Sequence, residues 1–283
     1  MSGRGRYRGN RNRNQQSLAS TARETTMSLA PNSPVLAMFK SAALKLNARQ
    51  DRHERLVKLS RDITIESKRI IFLLHSGISK ESTDKSVVEA KERLNKLLKG
   101  PIRTIGLELE NSPAYLHSHA VTAGFQEFIE ARTLCSLMDN KSIVTYAEVK
   151  KEFQNTVKDD ADDAVERTVE TLLPPGDYVL GIADLTGELM RRAINSISSG
   201  DSEECFFVCQ VVKDLYTGYL GLYRIGKELA RKMNVTRNNV AKVEAAVYAL
   251  KLRGGEAPPT LLLPARPDWP LDPEHHSDDE GFY

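Results

Sequence analysis

The sequence predicts an all-α protein, a bundle of about seven helices whose first and last members are long. Apolar residues recur at steps of three and four, capping signals stand at the expected helix ends, and no stretch alternates with the two-residue period of a strand. With 283 residues, the chain is long enough to bury one substantial core. We therefore expect helices packed on helices around that core.

The two ends of the chain differ in composition from its middle. Residues 1–32 are rich in Arg, Gly, Asn and Ser and have little to bury, so they predict a disordered arm. Such an arm is typical of RNA contact or nuclear targeting, and equally of a solubilising tail. Residues 257–283 combine prolines with acidic residues and predict a flexible tail. Residues 33–256 are the predicted helical domain.

The first helix is predicted to begin at Ser33-Pro34, an N-cap followed by a proline at the first helical position. No Gly or Pro interrupts the chain from there to His75, and one apolar stripe runs along this length before Gly77 ends it. A helix this long on a domain of this size indicates that a partner covers part of it.

Caps, prolines and glycines delimit the remaining helices. The acidic stretch 159–170 is interpreted as a surface insertion. The predicted helices are 82–99, interrupted at Gly100-Pro101 and continued to Leu109; one from Ser112-Pro113 to Leu137; a short one opened by a capping box from Thr145 to Glu148; 177–198; one from about 201; and 223–253.

Three cysteines in a chain of this length do not indicate a disulfide framework. Cys205 and Cys209 lie four apart with no further ligand nearby, so we interpret them as core residues, not as a zinc site. No apolar run approaches the ~20 residues that span a membrane, and no apolar segment follows the N-terminal arginines as a secretory signal requires. We expect an intracellular protein, cytoplasmic and nuclear, with no membrane partner.

Two predicted helices place acidic residues where chemistry can use them. Glu127 and Glu130 are three apart on the third helix, and Asp184 and Glu188 are four apart on the fifth, so each pair shares a helical face. Apolar residues surround the second pair, which indicates burial. Buried acids must be paired or bound to an ion.

Four carboxylates from two helices make an oxygen-only site that suits Mg²⁺, with Mn²⁺ as an alternative. A bound Mg²⁺ lowers the pKa of a water and neutralises a phosphoryl oxygen, as phosphodiester hydrolysis requires. The alternative stays open that Glu127 and Glu130 are solvated and that Glu188 forms a salt bridge with an arginine.

Basic residues on the same helices are candidates for holding a phosphate backbone. On the first helix they alternate with acids, a mixture that a solvated face explains equally well. The candidate nucleic-acid-binding residues are Arg61, Lys68, Arg69, Arg132, Arg191 and Arg192.

Three segments of the chain resemble the translin family: HERLVKLSRDITIESKRIIFLLH (53–75), DYVLGIADLTGELMRRAINSISSGD (177–201) and KVEAAVYALKLRGGEAP (242–258). They occur in the family's order. Together with Glu127 and Glu130, they match the associated-factor branch of the family more closely than translin itself. The arm, the tail and the acidic stretch fall outside the resemblance.

The resemblance implies seven α-helices, co-assembly with translin into a closed hetero-oligomer that encloses nucleic acid, and Mg²⁺-dependent endoribonuclease activity on single-stranded RNA. It implies that Glu127, Glu130, Asp184 and Glu188 are the metal ligands of the catalytic subunit. It also implies a role with the RNA-silencing machinery, in removing passenger-strand fragments when the RNA-induced silencing complex is activated.

Two alternatives to a catalytic subunit stay open. One is a non-catalytic partner that binds nucleic acid, single-stranded RNA or DNA, and assembles with translin; such a protein does not require four acids. The other is a helical interaction scaffold that docks through its long first and last helices and has no effect on RNA.

Overall fold

The computed structural model of the chain describes residues 33–77, 79–110, 112–113, 116–158, 166–222 and 226–253. Within these ranges the chain is helical apart from one small hairpin, so the all-α prediction is confirmed. The predicted arm and tail lie outside the described residues. No described helix has an apolar stretch long enough to cross a lipid bilayer.

The predicted long first and last helices are present, and a further long helix lies in the middle of the sequence. The elements are, in order, α1 (Pro34–Ser76), α2 (Lys80–Leu97), a π-helical turn (Leu98–Ile102), α3 (Arg103–Leu109), α4 (Ser118–Asn140), α5 (Tyr146–Glu152), β1 (Gln154–Lys158), β2 (Glu166–Glu170), α6 (Pro175–Ser199), α7 (Ser202–Leu220) and α8 (Lys227–Arg253).

By its internal contacts the chain divides into two units, residues 1–55 and residues 56–283. The described part of the first unit is the N-terminal half of α1, in which every side chain is exposed or half-buried. Its exposed large apolar side chains are Val35, Met38, Phe39, Leu44 and Leu46.

The core of the second unit is built around α6, which packs against α4, α7 and α8. Gly181 permits a close approach of α6 to α4, because an added Cβ at this position would lie 2.7 Å from the Gln126 carbonyl oxygen and 2.8 Å from Ile129 Cβ. Gly124 does the same between α4 and α1, where an added Cβ would lie 2.8 Å from the Ser60 carbonyl oxygen. Glycines at the crossing points therefore set the spacing of the helices that hold the acidic pairs.

The predicted interruption near residue 100 takes the form of a π-helical turn that contains Pro101. Proline lacks an N–H and its ring needs room against the preceding turn, which the wider π-helical backbone gives. The Thr171 hydroxyl donates a hydrogen bond of 2.8 Å to the Ile102 carbonyl. This bond ties the turn to the residue that follows β2.

The prediction that the chain contains no strand is wrong for residues 154–158 and 166–170. β1 and β2 pair in antiparallel register, with Thr156 opposite Thr168. β-Branched residues favour extended backbone. The buried apolar side chain of β2 is that of Val169, and one such residue does not produce an alternation of apolar and polar positions that can be recognised in the sequence. The part of the predicted insertion at 159–165 lies outside the described residues.

One of two predicted helix starts is confirmed and the other is wrong. The capping box from Thr145 to Glu148 is present at the start of α5. The start of the third helix was predicted wrongly: α4 begins at Ser118. The Leu116 amide donates to the Pro113 carbonyl at 3.0 Å, so the Ser-Pro signal closes a tight turn ahead of the helix.

Candidate active site

The four predicted acidic residues form one group on the neighbouring helices α4 and α6, which we call the acidic cluster (Glu127, Glu130, Asp184 and Glu188). Glu130 is only 8% exposed. Burial raises its pKa to about 8, and the charges of Asp184, Glu127 and Glu188 act in the same direction. The alternative that Glu130 is solvated is therefore wrong.

Two of the other carboxylates are held by lysines from other helices. Lys68 Nζ of α1 lies 3.1 Å from Glu127 Oε1. Lys232 Nζ of α8 lies 2.6 Å from Asp184 Oδ2. Helices from the beginning and the end of the second unit thus meet at the acidic cluster.

Glu188 is held by a histidine and an arginine at the same oxygen. Its Oε2 lies 2.8 Å from His75 Nε2 at the end of α1 and 3.1 Å from Arg191 on its own helix. Burial opposes ionisation of Glu188, but the hydrogen bond with His75 and the charge of Arg191 outweigh it and lower its pKa. The arginine salt bridge considered for Glu188 in the alternative interpretation is present.

Lys232 belongs to a chain of polar side chains behind the acidic cluster. Its Nζ also donates to Gln126 Oε1 at 2.9 Å and to the Leu180 carbonyl at 3.3 Å. Gln126 in turn donates to the buried Asp177 at 3.0 Å. Burial raises the pKa of Asp177, while the hydrogen bonds from Gln126 and Thr122 oppose that rise.

Two of the predicted nucleic-acid-binding arginines pair with acids outside the acidic cluster. Arg132 donates from two of its nitrogens to the Glu152 carboxylate, which joins α4 to α5. Arg192 Nε lies 2.5 Å from Glu204 Oε1, which joins α6 to α7. The structure gives each of them a stabilising contact between helices.

The other four predicted basic residues are exposed. Lys68 and Arg191 contact the acidic cluster, whereas Arg69 lies 3.4 Å from Glu66. Arg61 lies two helical turns before Lys68 on the same face of α1. Binding of nucleic acid by all six stays a prediction.

Sequence reasoning missed two residues that contact the acids, His75 and Lys232. His75 and Glu188 are 113 positions apart, and Lys232 and Asp184 are 48 apart, so no local spacing signals either contact. One signal was available: Lys68 and His75 are seven apart, which places them on one face of the first helix.

The donor chemistry of the acidic cluster fits a hard divalent cation, because all four ligands are carboxylates. Burial first and the neighbouring carboxylates second raise the pKa of Glu130, and a bound cation would oppose both effects. Within the described ranges, no three His, Cys, Asp or Glu side chains stand close enough to hold an ion without rearrangement. Cys205 and Cys209 are buried, as predicted for core residues. Binding of Mg²⁺ stays a prediction.

The fold and the site define an all-α bundle protein with an acidic site between two of its central helices. The chain belongs to the Translin family, which matches residues 51–254. It is similar to translin-associated protein X of Mus musculus, with 38% identity over 242 residues that cover 82% of this chain and 83% of that one. The Schizosaccharomyces pombe homologue of that protein is 27% identical over 215 residues, 72% and 83% of the two chains.

Solved structures share the fold. AfC3PO in complex with duplex RNA superposes with a TM-score of 0.57 at 17% identity, over 76% of this chain and 97% of that one. Apo-NeC3PO superposes with a TM-score of 0.53 at 21% identity, over 77% and 96%. The resemblance to the translin family noted in the sequence is therefore confirmed.

Proposed function

We propose that this chain is the catalytic subunit of a Mg²⁺-dependent endoribonuclease that assembles with translin and cleaves single-stranded RNA. The observation that supports the proposal is the acidic cluster. Burial and three neighbouring carboxylates disfavour the charged form of Glu130, and a bound divalent cation would favour it. Four acids repel phosphate, so a subunit that only binds nucleic acid has no use for them.

In this proposal the acidic cluster holds Mg²⁺, and Mn²⁺ can replace it. The cation, when bound, supplies an activated water and neutralises charge on the phosphoryl oxygen. The protein supplies the orientation of the ligands. Each of three carboxylates has one oxygen in contact with a basic side chain. Lys68 contacts Oε1 of Glu127, and Lys232 contacts Oδ2 of Asp184. His75 and Arg191 both contact Oε2 of Glu188.

A groove beside the acidic cluster supports single-stranded RNA as the substrate. Lys68, Arg69 and Arg93 line it together with Phe72, whose side chain is 77% exposed. Basic groups hold a phosphate backbone without reading bases, and an exposed aromatic ring offers a stacking face to any base. Since Lys68 lines the groove and also contacts Glu127, the groove adjoins the proposed catalytic residues.

The family supports the partnership with translin. The mammalian relatives are translin-associated proteins. Binding of RNA is supported separately by AfC3PO, a structural neighbour that was solved with duplex RNA. The exposed apolar side chains of the N-terminal half of α1 agree with a surface that a partner covers. Removal of passenger-strand fragments is the setting we propose for the activity.

The test uses the full-length chain co-expressed with translin and a labelled single-stranded RNA. Glu130→Gln keeps the shape of a side chain whose raised pKa already favours the neutral form, so we expect folding and assembly to be retained. RNA cleavage should fall by at least about 100-fold, the scale of losing a transition-state charge stabiliser, and EDTA should abolish cleavage by the unsubstituted complex.

Glu244→Gln is the matched control, because Glu244 is an exposed glutamate paired with Lys213 at a distance of 3.0 Å, outside the acidic cluster. It should leave cleavage unchanged. Cleavage that survives Glu130→Gln in an intact assembly would refute the catalytic role and leave a nucleic-acid-binding and assembly subunit.

A further inference from the structure

We propose that Lys232 is the built-in counter-cation of the acidic cluster: it compensates Asp184 while the divalent cation is absent, and its charge limits how tightly the cluster binds that cation. This inference rests on the proposed function, since it concerns the same site. It assigns a positioning role to a residue on α8, a helix that contributes none of the four acids.

The geometry around Lys232 is that of a fixed ammonium group. Its three donors have three acceptors, Asp184 Oδ2 at 2.6 Å, Gln126 Oε1 at 2.9 Å and the Leu180 carbonyl oxygen at 3.3 Å. The acceptors come from α6 and α4, so one side chain of α8 connects the two helices that hold the acidic pairs.

Gln126 is itself held in place, which fixes the acceptor that it offers to Lys232. Its Nε2 donates to Asp177 Oδ1 at 3.0 Å, so its oxygen is directed to the lysine. The Thr122 hydroxyl lies 3.3 Å from the other Asp177 oxygen. The ammonium group therefore sits in a prepared position.

Lys68 offers the comparison that separates a fixed counter-cation from a surface ion pair. The Lys68 side chain is 64% exposed and that of Lys232 is 20% exposed. Solvent screens the first pair, so its effect on the cluster is small. The Lys232 ammonium group is the less hydrated of the two lysines, although its partner Asp184 is 40% exposed. The charge of Lys232 also opposes the rise in the pKa of Glu130.

The consequence for metal binding follows from Coulomb's law. A fixed positive charge beside a metal ligand opposes binding of a doubly charged cation, and at an effective dielectric constant below that of water the effect is at least about tenfold. Removing the charge of Lys232 should therefore tighten cation binding. It should also destabilise the metal-free fold, because Asp184 and its acidic neighbours lose their compensation.

The experiment measures Mn²⁺ binding to the full-length chain in its complex with translin through the EPR signal of free Mn²⁺, and thermal unfolding of that complex in EDTA and in Mn²⁺. Lys232→Met and Lys232→Gln should bind Mn²⁺ about tenfold more tightly. Their Tm should be lower in EDTA and should rise more with Mn²⁺ than that of the unsubstituted chain. Lys232→Arg should restore both properties, and the control Lys213→Met, which removes a lysine paired with Glu244 outside the acidic cluster, should change Mn²⁺ affinity by less than about threefold.

Two outcomes contradict the inference in distinguishable ways. If the unsubstituted complex binds Mn²⁺ and cleaves RNA, while Lys232→Met and Lys232→Gln bind Mn²⁺ no more tightly, Lys232 is not a competing cation and the proposed function stands. If no form of the chain binds Mn²⁺, the metal site of the proposed function is refuted together with this inference. Should Lys232→Met unfold in EDTA, Lys232→Gln gives the same comparison with an amide that still donates to Asp184.

Discussion

The crossing of α4 and α6 makes a prediction that can be tested without RNA. Gly181→Ala places a Cβ 2.7 Å from the Gln126 carbonyl oxygen and 2.8 Å from Ile129 Cβ. Ordinary contacts begin about 0.7 Å further out, so the two helices must separate. Gly187→Ala, on the same helix, is the matched control, because the contact of its Cβ is Asn239 Nδ2 at an ordinary 3.9 Å.

The magnitude follows from two opposing effects. Overpacking costs about 1–3 kcal/mol, and the higher helix propensity of alanine returns about 1 kcal/mol. Gly181→Ala should therefore lower the free energy of unfolding by up to about 2 kcal/mol, whereas Gly187→Ala should raise it by about 0.5–1 kcal/mol. At about 2–4 °C per kcal/mol for a domain of this size, their Tm values should differ by roughly 1–12 °C.

Chemical and thermal unfolding of the two variants, followed by circular dichroism, measures this difference. The separation of the helices should also weaken RNA cleavage by Gly181→Ala, because Glu130 lies on one of the two crossing helices and Asp184 on the other. If Gly181→Ala were as stable as Gly187→Ala, the close approach of α4 to α6 would be wrong, and with it the spacing of the acidic cluster.

Two further predictions concern contacts outside the acidic cluster. Burial opposes ionisation of Glu204, but hydrogen bonds from Lys141 and Arg192 hold its pKa below the usual value. These contacts therefore stabilise the fold at pH values above the pKa of Glu204 in the unfolded chain. The stabilisation is lost as the pH falls through the lower pKa of Glu204 in the folded chain. Glu204→Gln should cost about 2–3 kcal/mol at neutral pH, and urea unfolding curves of the two proteins should converge in acid; a gap that does not narrow in acid contradicts the assignment. Thr171→Val should cost about 1 kcal/mol because it removes the hydrogen bond of the hydroxyl to the Ile102 carbonyl, whereas Thr171→Ser should recover most of that loss in the same assay.

The helices were predictable because their signals are local. The proline at the start of α1 and the capping box at Thr145 act within a few residues, and the structure contains both. The four acids were found partly by spacing and partly by family resemblance. Spacing paired Glu127 with Glu130 and Asp184 with Glu188 and suggested one site of four carboxylates, and the resemblance then supported that site.

The remaining features depend on packing between distant parts of the chain. The Arg132–Glu152 contact needs the turn between α4 and α5, and the His75–Glu188 contact needs α1 to lie beside α6. A charged residue gives no sign in the sequence of whether it will meet solvent, phosphate or another helix. The hairpin was not predicted because β2 has one buried side chain, which is too few to produce a recognisable strand pattern.

The central position of α6 bears on how the site exchanges its contents with solvent. Amide hydrogens of a helix that is enclosed by three others exchange only when the whole unit opens. The backbone that carries Asp184 and Glu188 therefore does not unfold locally. Ions must enter and leave the acidic cluster by rotation of the side chains around it. Exchange rates along α6 should report global unfolding, while those in the first turns of α1, where every side chain is exposed or half-buried, should approach the rates of free peptide.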